Sequence, residues 1–320
     1  MKLLVYKLSE ENLAQVKAVA PELEIINAKT EEELLGAMPE AEIYLPGPRD
    51  PKFFAGIPML KWVHMVWAGI DHSPFLSVLP QEVTATNSAG VFAVPIAEHA
   101  MAMILAFSRG IQFCARWPKE KVWGEGNYWE RFQPHLLELQ GATLGIVGYG
   151  GIGQATAERA KSFGMRILAE RRRPQGSDGI ADEMWGPERL DDLLRESDYI
   201  LISAPLTNET RGLIGARELG LMKPTAVIVN VARGAVIDQE ALISALKEDK
   251  LRGAALDVTT PEPLPFDSPL WELDNVLITP HVSGSSPRTW ERQFNLFLEN
   301  LSRYVAGERL LNVVDREAGY

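Results

Sequence analysis

The chain has 320 residues, 46% of them hydrophobic, which is enough to bury the cores of about two domains and excludes a disordered protein. Its formal net charge of −11 at pH 7 argues against a nucleic-acid partner, which calls for a basic face. The single cysteine, Cys114, rules out an intramolecular disulfide, and the apolar runs fall short of a signal-peptide core or of the roughly 20 residues of a membrane span. A cytoplasmic protein is expected, with neither nucleic acid nor membrane as partner, and no metal site is assigned.

Residues 2–6 read as a strand and 9–20 as a helix, with Ser9 at the cap and Glu10 and Glu11 in the first turn. Strand-like 23–28, helix-like 30–38 and strand-like 41–45 repeat the alternation and indicate a small α/β unit. A further apolar strand at 60–66 runs into Trp67-Ala68-Gly69-Ile70-Asp71, a turn where glycine leaves backbone N–H groups free. Strand-like 83–87 leads through Ser88, Ala89 and Gly90 to one long helix over 95–116, almost continuously apolar through AMAMILAF and so expected to be buried. Residues 117–140 are irregular and set Trp117, Trp123, Tyr128 and Trp129 among charges. They read as a connecting and packing segment, because a stacking platform for single-stranded nucleic acid also needs a basic groove.

The stretch TLGIVGYGGIG at 143–153 is an apolar strand that ends in Gly148, Gly150 and Gly153, and the residues after it read as a helix. A pyrophosphate needs bare backbone N–H groups at the positive end of a helix, and side chains there would hold it off. Strands at 165–169, 199–203, 226–231, 254–258 and 276–279 follow, separated by helices near 189–195, 216–222 and 238–248. Such serial β-α units build a doubly wound parallel sheet. A last helix spans 288–306, and the terminal LLNVVD is expected to return to the first domain.

Ligands of such sheets bind at the carboxyl ends of the strands. The polar residues there are Arg171-Arg172-Arg173, Pro205-Leu206-Thr207, Arg233, Asp257 with Glu262, and His281. The arginine run falls roughly 20 residues after the glycines, where a dinucleotide fold meets the adenosine ribose. Side chains alternate along a strand end, so only one of Glu170 and Arg171 can point at the ribose. An acidic residue there accepts the ribose hydroxyls of NAD, whereas clustered arginines suit the 2′-phosphate of NADP, and NADP is favoured. His281 has the most site-like context of the histidines; His64, His72, His99 and His135 sit in a strand, a turn, a helix and an irregular segment. Singly, Arg233, Glu262 and His281 each have an ordinary structural reading. After successive strands of one sheet, a guanidinium, a carboxylate and an imidazole can bind a small anion and move a proton.

The sequence resembles the D-2-hydroxyacid dehydrogenases, a family that includes glyoxylate/hydroxypyruvate reductases, phosphoglycerate dehydrogenases and D-lactate dehydrogenases. The resemblance covers nearly the whole chain and rests on VGYGGIG at 147–153, APLTNETRGLI at 204–214, NVARGAVID at 230–238, ALDVTTPEPLP at 255–265 and TPHVSG at 279–284. It implies an α/β protein with a doubly wound (Rossmann) cofactor domain at 109–288 and a smaller flavodoxin-like α/β substrate domain at 1–108 with 289–320, the helix from Pro95 serving as hinge and dimer element. A homodimer acting on a small 2-keto or 2-hydroxy acid is implied. Arg233 would clamp the substrate's carboxylate and carbonyl oxygen, His281 would donate a proton to that oxygen, and Glu262 would pair with His281. Backbone N–H groups of Ala68, Gly69 and Ile70 would hold the carboxylate. The cofactor would meet Gly148, Gly150, Gly151, Ile152 and Gly153 at its pyrophosphate, Arg171 and Arg172 at its ribose, Asp257 at the nicotinamide amide, and Pro205, Thr210, Val231, Ala232, His281 and Gly284 along its length.

Departures from the family pattern fall at three places. Arg171 stands where NAD-linked members carry aspartate, a second route to NADP, with NAD as the other possibility. Thr259-Thr260 replaces the more usual Phe-Glu or Phe-Asp. Trp67 is large for a substrate-facing turn and either narrows the pocket or packs away from it. The leading expectation is an NADP-linked glyoxylate or hydroxypyruvate reductase. Its alternatives are an NAD-linked phosphoglycerate dehydrogenase type and a non-enzymatic NAD(P)H-sensing binding protein like the corepressors of this fold.

Overall fold

The structure is a computed structural model that describes residues 1–47, 50–54, 57–69, 78–116, 130, 132–174, 176 and 178–316. The chain divides into two compact units, Met1–Phe92 with Ser286–Tyr320, and Ala93–Ser285. Among the described residues no helix is long and apolar enough to cross a membrane.

The first unit holds a parallel sheet of β1 (Lys2–Tyr6), β2 (Glu24–Ala28), β3 (Ile43–Leu45), β4 (Trp62–His64) and β5 (Thr84–Thr86) in the order β2-β1-β3-β4-β5. This is the flavodoxin-like order. The helix Glu10–Val19 starts where the Ser9 hydroxyl accepts the Asn12 N–H at 3.3 Å. Alternate strand residues feed opposite cores: Leu4, Tyr44 and Val63 enter one, while Leu3, Val5, Ile43 and Trp62 pack on the other with Phe294, Phe297 and Leu301 of the helix Thr289–Ala306. The chain end returns to this unit, where Val313 bridges antiparallel to Thr86.

His64 is sealed in this unit, with Nδ1 2.8 Å from Thr86 Oγ1 and its ring against Trp62 and Phe297. Burial pushes its imidazole down from 6.5 to about 4, so the folded ring stays neutral. Unfolding restores the ordinary value, so between about pH 6.5 and 4 the unfolded chain binds a proton that the folded chain refuses. Stability should therefore fall as pH falls through that window. Urea midpoints at pH 7 and pH 5 check this: the drop should be smaller in His64→Gln than in the parent, and equal drops would assign the acid sensitivity to other groups.

The second unit holds β6 (Thr143–Val147), β7 (Arg166–Glu170), β8 (Glu183–Trp185), β9 (Tyr199–Ile202), β10 (Val227–Asn230), β11 (Gly253–Leu256) and β12 (Val276–Ile278). They are all parallel, in the order β12-β11-β10-β9-β6-β7-β8. The order reverses between β6 and β9, and the carboxyl ends of these strands flank the switch point where doubly wound sheets take their ligands. Strand parity again sorts the core: Ile200 and Ile202 face one side, Tyr199 and Leu201 the other.

Three features differ from the sequence-based expectation. The long helix over 95–116 is two helices, Ala93–Ser108 and Ile111–Arg116, because the chain turns at Gly110 with φ of +63°, which a right-handed helix cannot contain. The edge strand β8 has no counterpart among the expected elements; at three residues, ladder-paired to β7 alone, it carries no apolar run. The units divide at Phe92/Ala93 and Ser285/Ser286, not at 108/109 and 288/289. The helix Ala93–Ser108 goes with the second unit because Ala100, Met103, Ile104 and Phe107 pack into the core formed by Leu144, Ile146 and Ala157.

Candidate active site

At the end of β6 three glycines serve three different needs. Gly148 has φ of +92°, and a Cβ there would lie 2.3 Å from the Ala204 nitrogen, so the turn passes against the end of β9 only without a side chain. Gly150 begins the helix Gly151–Ser162 with no side-chain cap and with nothing within 4 Å of an added Cβ. Gly153 lets the helix approach the strand, since its Cβ would sit 3.0 Å from Ile146 Cγ2. Ser203, a residue that sequence reasoning passed over, donates its hydroxyl to the Gly148 carbonyl at 2.9 Å and fastens the turn to β9. Bare N–H groups at an uncapped helix start fit a pyrophosphate.

At the end of β7 Glu170 packs onto the glycine turn. The Gly148 N–H donates both to the Glu170 carbonyl at 3.2 Å and to its Oε2 at 3.1 Å, and the Tyr149 N–H donates to the same carbonyl at 2.7 Å. Glu170 is 8% exposed. Burial pushes its carboxyl up, against the bond from Gly148, which favours the ionised form. Glu170 is thus turned onto the glycine turn. Arg171 follows half-buried, its N–H on the Trp185 carbonyl at 3.1 Å, and Arg172 and Arg173 are exposed. Tyr149 donates its hydroxyl to Asp178 Oδ2 at 2.7 Å, tying the loop beyond the arginines to the same turn.

The loop after β10 carries Arg233. Buried Asn230 clasps it, accepting the Ala232 N–H and donating to the Arg233 carbonyl, both at 3.0 Å. Gly234 brings this loop against the segment after β11, since a Cβ there would lie 2.0 Å from the Thr259 carbonyl oxygen. In that segment Glu262 Oε1 accepts the Thr259 N–H at 3.1 Å, the Thr259 hydroxyl donates to the Pro261 carbonyl at 3.0 Å, and Gln239 brackets the Thr260 backbone from both sides. The departure at Thr259 therefore has a consequence: its hydroxyl helps hold the turn that presents Glu262, while the Gln239 bonds go to the Thr260 backbone whatever its side chain.

Glu262 Oε2 lies 2.8 Å from His281 Nδ1. A carboxylate only accepts, so Nδ1 carries the proton of that bond and Nε2 faces away from it. His281 has φ of +53°, fixed by its N–H on the Asp257 carbonyl at 2.8 Å, and its side chain is 49% exposed. The Asp257 carboxylate is 1% exposed and accepts the N–H groups of Val282 and Ser283 at 3.0 Å and the Thr279 hydroxyl at 2.6 Å. Burial alone would raise this carboxyl, but the Ser283 and Thr279 hydroxyls and the two N–H groups outweigh it and hold it below the ordinary carboxylate range. Asp257 is spent on the loop that carries His281.

The remaining expected residues are distributed as follows. Thr210 donates its hydroxyl to the Pro205 carbonyl at 2.6 Å and closes the loop after β9. Val231 and Ala232 are buried at the end of β10 and Gly284 is half-buried after the His281 loop. In the first unit Ala68 and Gly69 follow β4, with the Ala68 carbonyl accepting from Asn87 Nδ2 at 2.8 Å. Trp67 packs inward, 6% exposed, edge-on to Phe54. Ile70, Asp71 and His72, with Trp117, Trp123, Tyr128 and Trp129, lie outside the described residues.

Sheet order, glycine turn and the polar carboxyl edge define a dinucleotide-binding protein of the doubly wound class. Residues 101–283 match the sequence model of the D-isomer specific 2-hydroxyacid dehydrogenase NAD binding domain. A glyoxylate reductase of Korarchaeum cryptofilum is 38% identical over 279 residues, 85% of this chain and 81% of that protein. A D-3-phosphoglycerate dehydrogenase of Methanocaldococcus jannaschii is 34% identical over 98% of this chain and 59% of its own length. Among solved structures, the NADPH-dependent glyoxylate/hydroxypyruvate reductase of Sinorhizobium meliloti, in complex with NADP and sulfate, superposes with a TM-score of 0.82 at 26% identity, covering 100% of this chain and 99% of that one. The chain belongs to the D-isomer-specific 2-hydroxyacid dehydrogenase family, whose cofactor is a nicotinamide dinucleotide.

Proposed function

We propose that this protein reduces small 2-keto acids to D-2-hydroxy acids with NADPH, glyoxylate and hydroxypyruvate being the first substrates to try. The observation that carries the reading is the 2.8 Å pair of Glu262 and His281, on the strand edge that also bears the glycine turn and Arg233. A nicotinamide dinucleotide held on this edge would supply a hydride to the carbonyl carbon. Arg233 holds the substrate's carboxylate and carbonyl oxygen by planar, charge-assisted hydrogen bonds. His281 Nε2 delivers a proton to that oxygen, so the carbonyl gains one hydride and one proton, and Glu262 keeps the ring aligned through Nδ1. Gly148 to Gly153 take the pyrophosphate, while Pro205, Thr210, Val231, Ala232 and Gly284 line its path.

Arg171 and Arg172 read the 2′-phosphate, a role supported by the inward turn of Glu170. Arg171→Asp should move the NADPH:NADH ratio of kcat/KM toward NADH by about 10- to 100-fold, the worth of one or two charge-assisted hydrogen bonds. Glu170→Gln should leave the ratio in place, because the amide oxygen still accepts from Gly148. A ratio unmoved in the first variant and shifted in the second would return the ribose to Glu170. The reaction itself is tested by the absorbance decay of NADPH and NADH, taken separately, against a panel of 2-keto acids that includes phosphohydroxypyruvate. Turnover confined to that phosphorylated acid with NADH would favour the phosphoglycerate dehydrogenase type, which the relative from Methanocaldococcus jannaschii represents. Tight cofactor binding without turnover on any acid would favour a cofactor-sensing binding protein.

A further inference from the structure

His99 lies on the helix Ala93–Ser108 within an apolar run, a context that gives it no site-like character in the sequence. In the fold it joins the framework beneath His281. Its Nε2 is 2.9 Å from Thr279 Oγ1, and Thr279 Oγ1 is 2.6 Å from Asp257 Oδ1. Asp257 is an ionised, buried acceptor, so the single hydroxyl proton of Thr279 goes to it. Thr279 can then only accept from the imidazole. His99 Nε2 therefore carries a proton, and that N–H lies 3.7 Å from Asp257 Oδ1 as well.

The contacts continue to the reacting residue. Asp257 accepts Val282 N–H and Ser283 N–H, and its carbonyl accepts His281 N–H. His281 is thus gripped on both sides at a left-handed φ of +53°, a conformation that a residue with a β-carbon keeps only where its surroundings over-determine it. A buried carboxylate imposes such a grip only while its own donors are fixed, and the Thr279 and Ser283 hydroxyls are donors to it that are free to rotate about their own bonds. The imidazole of His99 removes that freedom from the Thr279 hydroxyl, which lies 2.6 Å from Asp257 Oδ1.

We propose that His99 is a positioning residue for proton delivery: its Nε2–H aims the Thr279 hydroxyl at Asp257, and Asp257 holds the loop that presents His281. The inference rests on the reading of His281 as proton donor. The test compares His99→Leu, His99→Gln, Thr279→Val and Thr279→Ser in the full-length protein by kcat, by KM for NADPH and by urea midpoint. His99→Leu and Thr279→Val should each lower kcat about tenfold with little change in KM for NADPH, and together no further, as expected of residues that act in series. Glutamine presents an amide N–H at similar reach and serine keeps the hydroxyl, so His99→Gln and Thr279→Ser should restore kcat to within about threefold. Undiminished kcat in both disruptive variants, equal loss in the restoring ones, or losses that multiply in the double variant would overturn the proposal. The Thr279 pair decides the matter even where His99→Leu does not fold. Retained turnover in His281→Ala would remove the proton-donor reading on which the inference stands; an inactive His281→Ala beside a fully active Thr279→Val would remove the positioning role alone.

Discussion

Replacing His281 by alanine is expected to lower kcat for keto-acid reduction by about 10²- to 10⁴-fold, the usual contribution of a placed general acid. Hydride arriving at the carbonyl carbon leaves charge on the oxygen, and without the imidazole that charge must wait for a proton from water. Cofactor binding should change little. The glycine turn is fastened by Ser203 and Glu170, and the loop that carries position 281 is held by Asp257 through Val282 and Ser283. Quenching of protein fluorescence by NADPH measures binding and stopped-flow absorbance measures turnover. Lost binding with retained turnover would exclude His281 as the acid. Glu262→Gln should fall between parent and His281→Ala, because the amide can still meet Nδ1 but no longer offers a full negative charge across the 2.8 Å contact.

Replacing Arg233 by alanine should lower kcat/KM by about 10²- to 10³-fold, the range found when one donor to a developing oxyanion is removed. A group that grips the substrate's carboxylate acts in the ground state, and one that grips the carbonyl oxygen acts more strongly as charge builds there. KM should therefore rise and kcat fall together. Lysine at the position should recover little, since an ammonium is a point charge and cannot span two oxygens in one plane. A near-silent Arg233→Ala would take the residue out of the site. A disordered loop would be a different failure, and Asn230 separates the two: its side chain clasps the Arg233 turn without meeting substrate, so Asn230→Ala should mimic the loss only by loosening the loop.

These expectations come from residues of two kinds, and the sequence is informative about them to different degrees. The glycine pattern, the strand and helix alternation, and Arg233, Glu262 and His281 are legible because each follows a periodic apolar run whose end is marked by a change to polar or glycine residues. The small α/β unit and the doubly wound sheet follow from that alternation, and the flavodoxin-like form of the first is what the family resemblance implies. The supporting residues carry a weaker mark or none. Asn230 and Thr279 sit at the ends of apolar runs, where a polar residue is a signal that could have been followed, but Ser203, Thr259 and His99 gain their importance from partners far along the chain or on another loop. The break at Gly110 and the short edge strand β8 escape a periodicity argument because a single residue ends the first and three residues make the second.

Glu170 and Arg171 show where the boundary lies. Strand parity establishes that they point to opposite sides, and it holds for any sequence in that conformation. Which side faces the glycine turn depends on how β7 lies beside β6, with Val147 in register with Glu170, and on the approach of Gly148 to the strand end. That is a property of packing between segments more than twenty residues apart, and local pattern contains no term for it. The sequence established the class of fold, the family and the polar residues of the carboxyl edge. Tertiary packing alone turned Glu170 inward, drew Trp67 into the core and brought His99 to Thr279, because each requires two separate segments to meet at hydrogen-bonding or van der Waals distance.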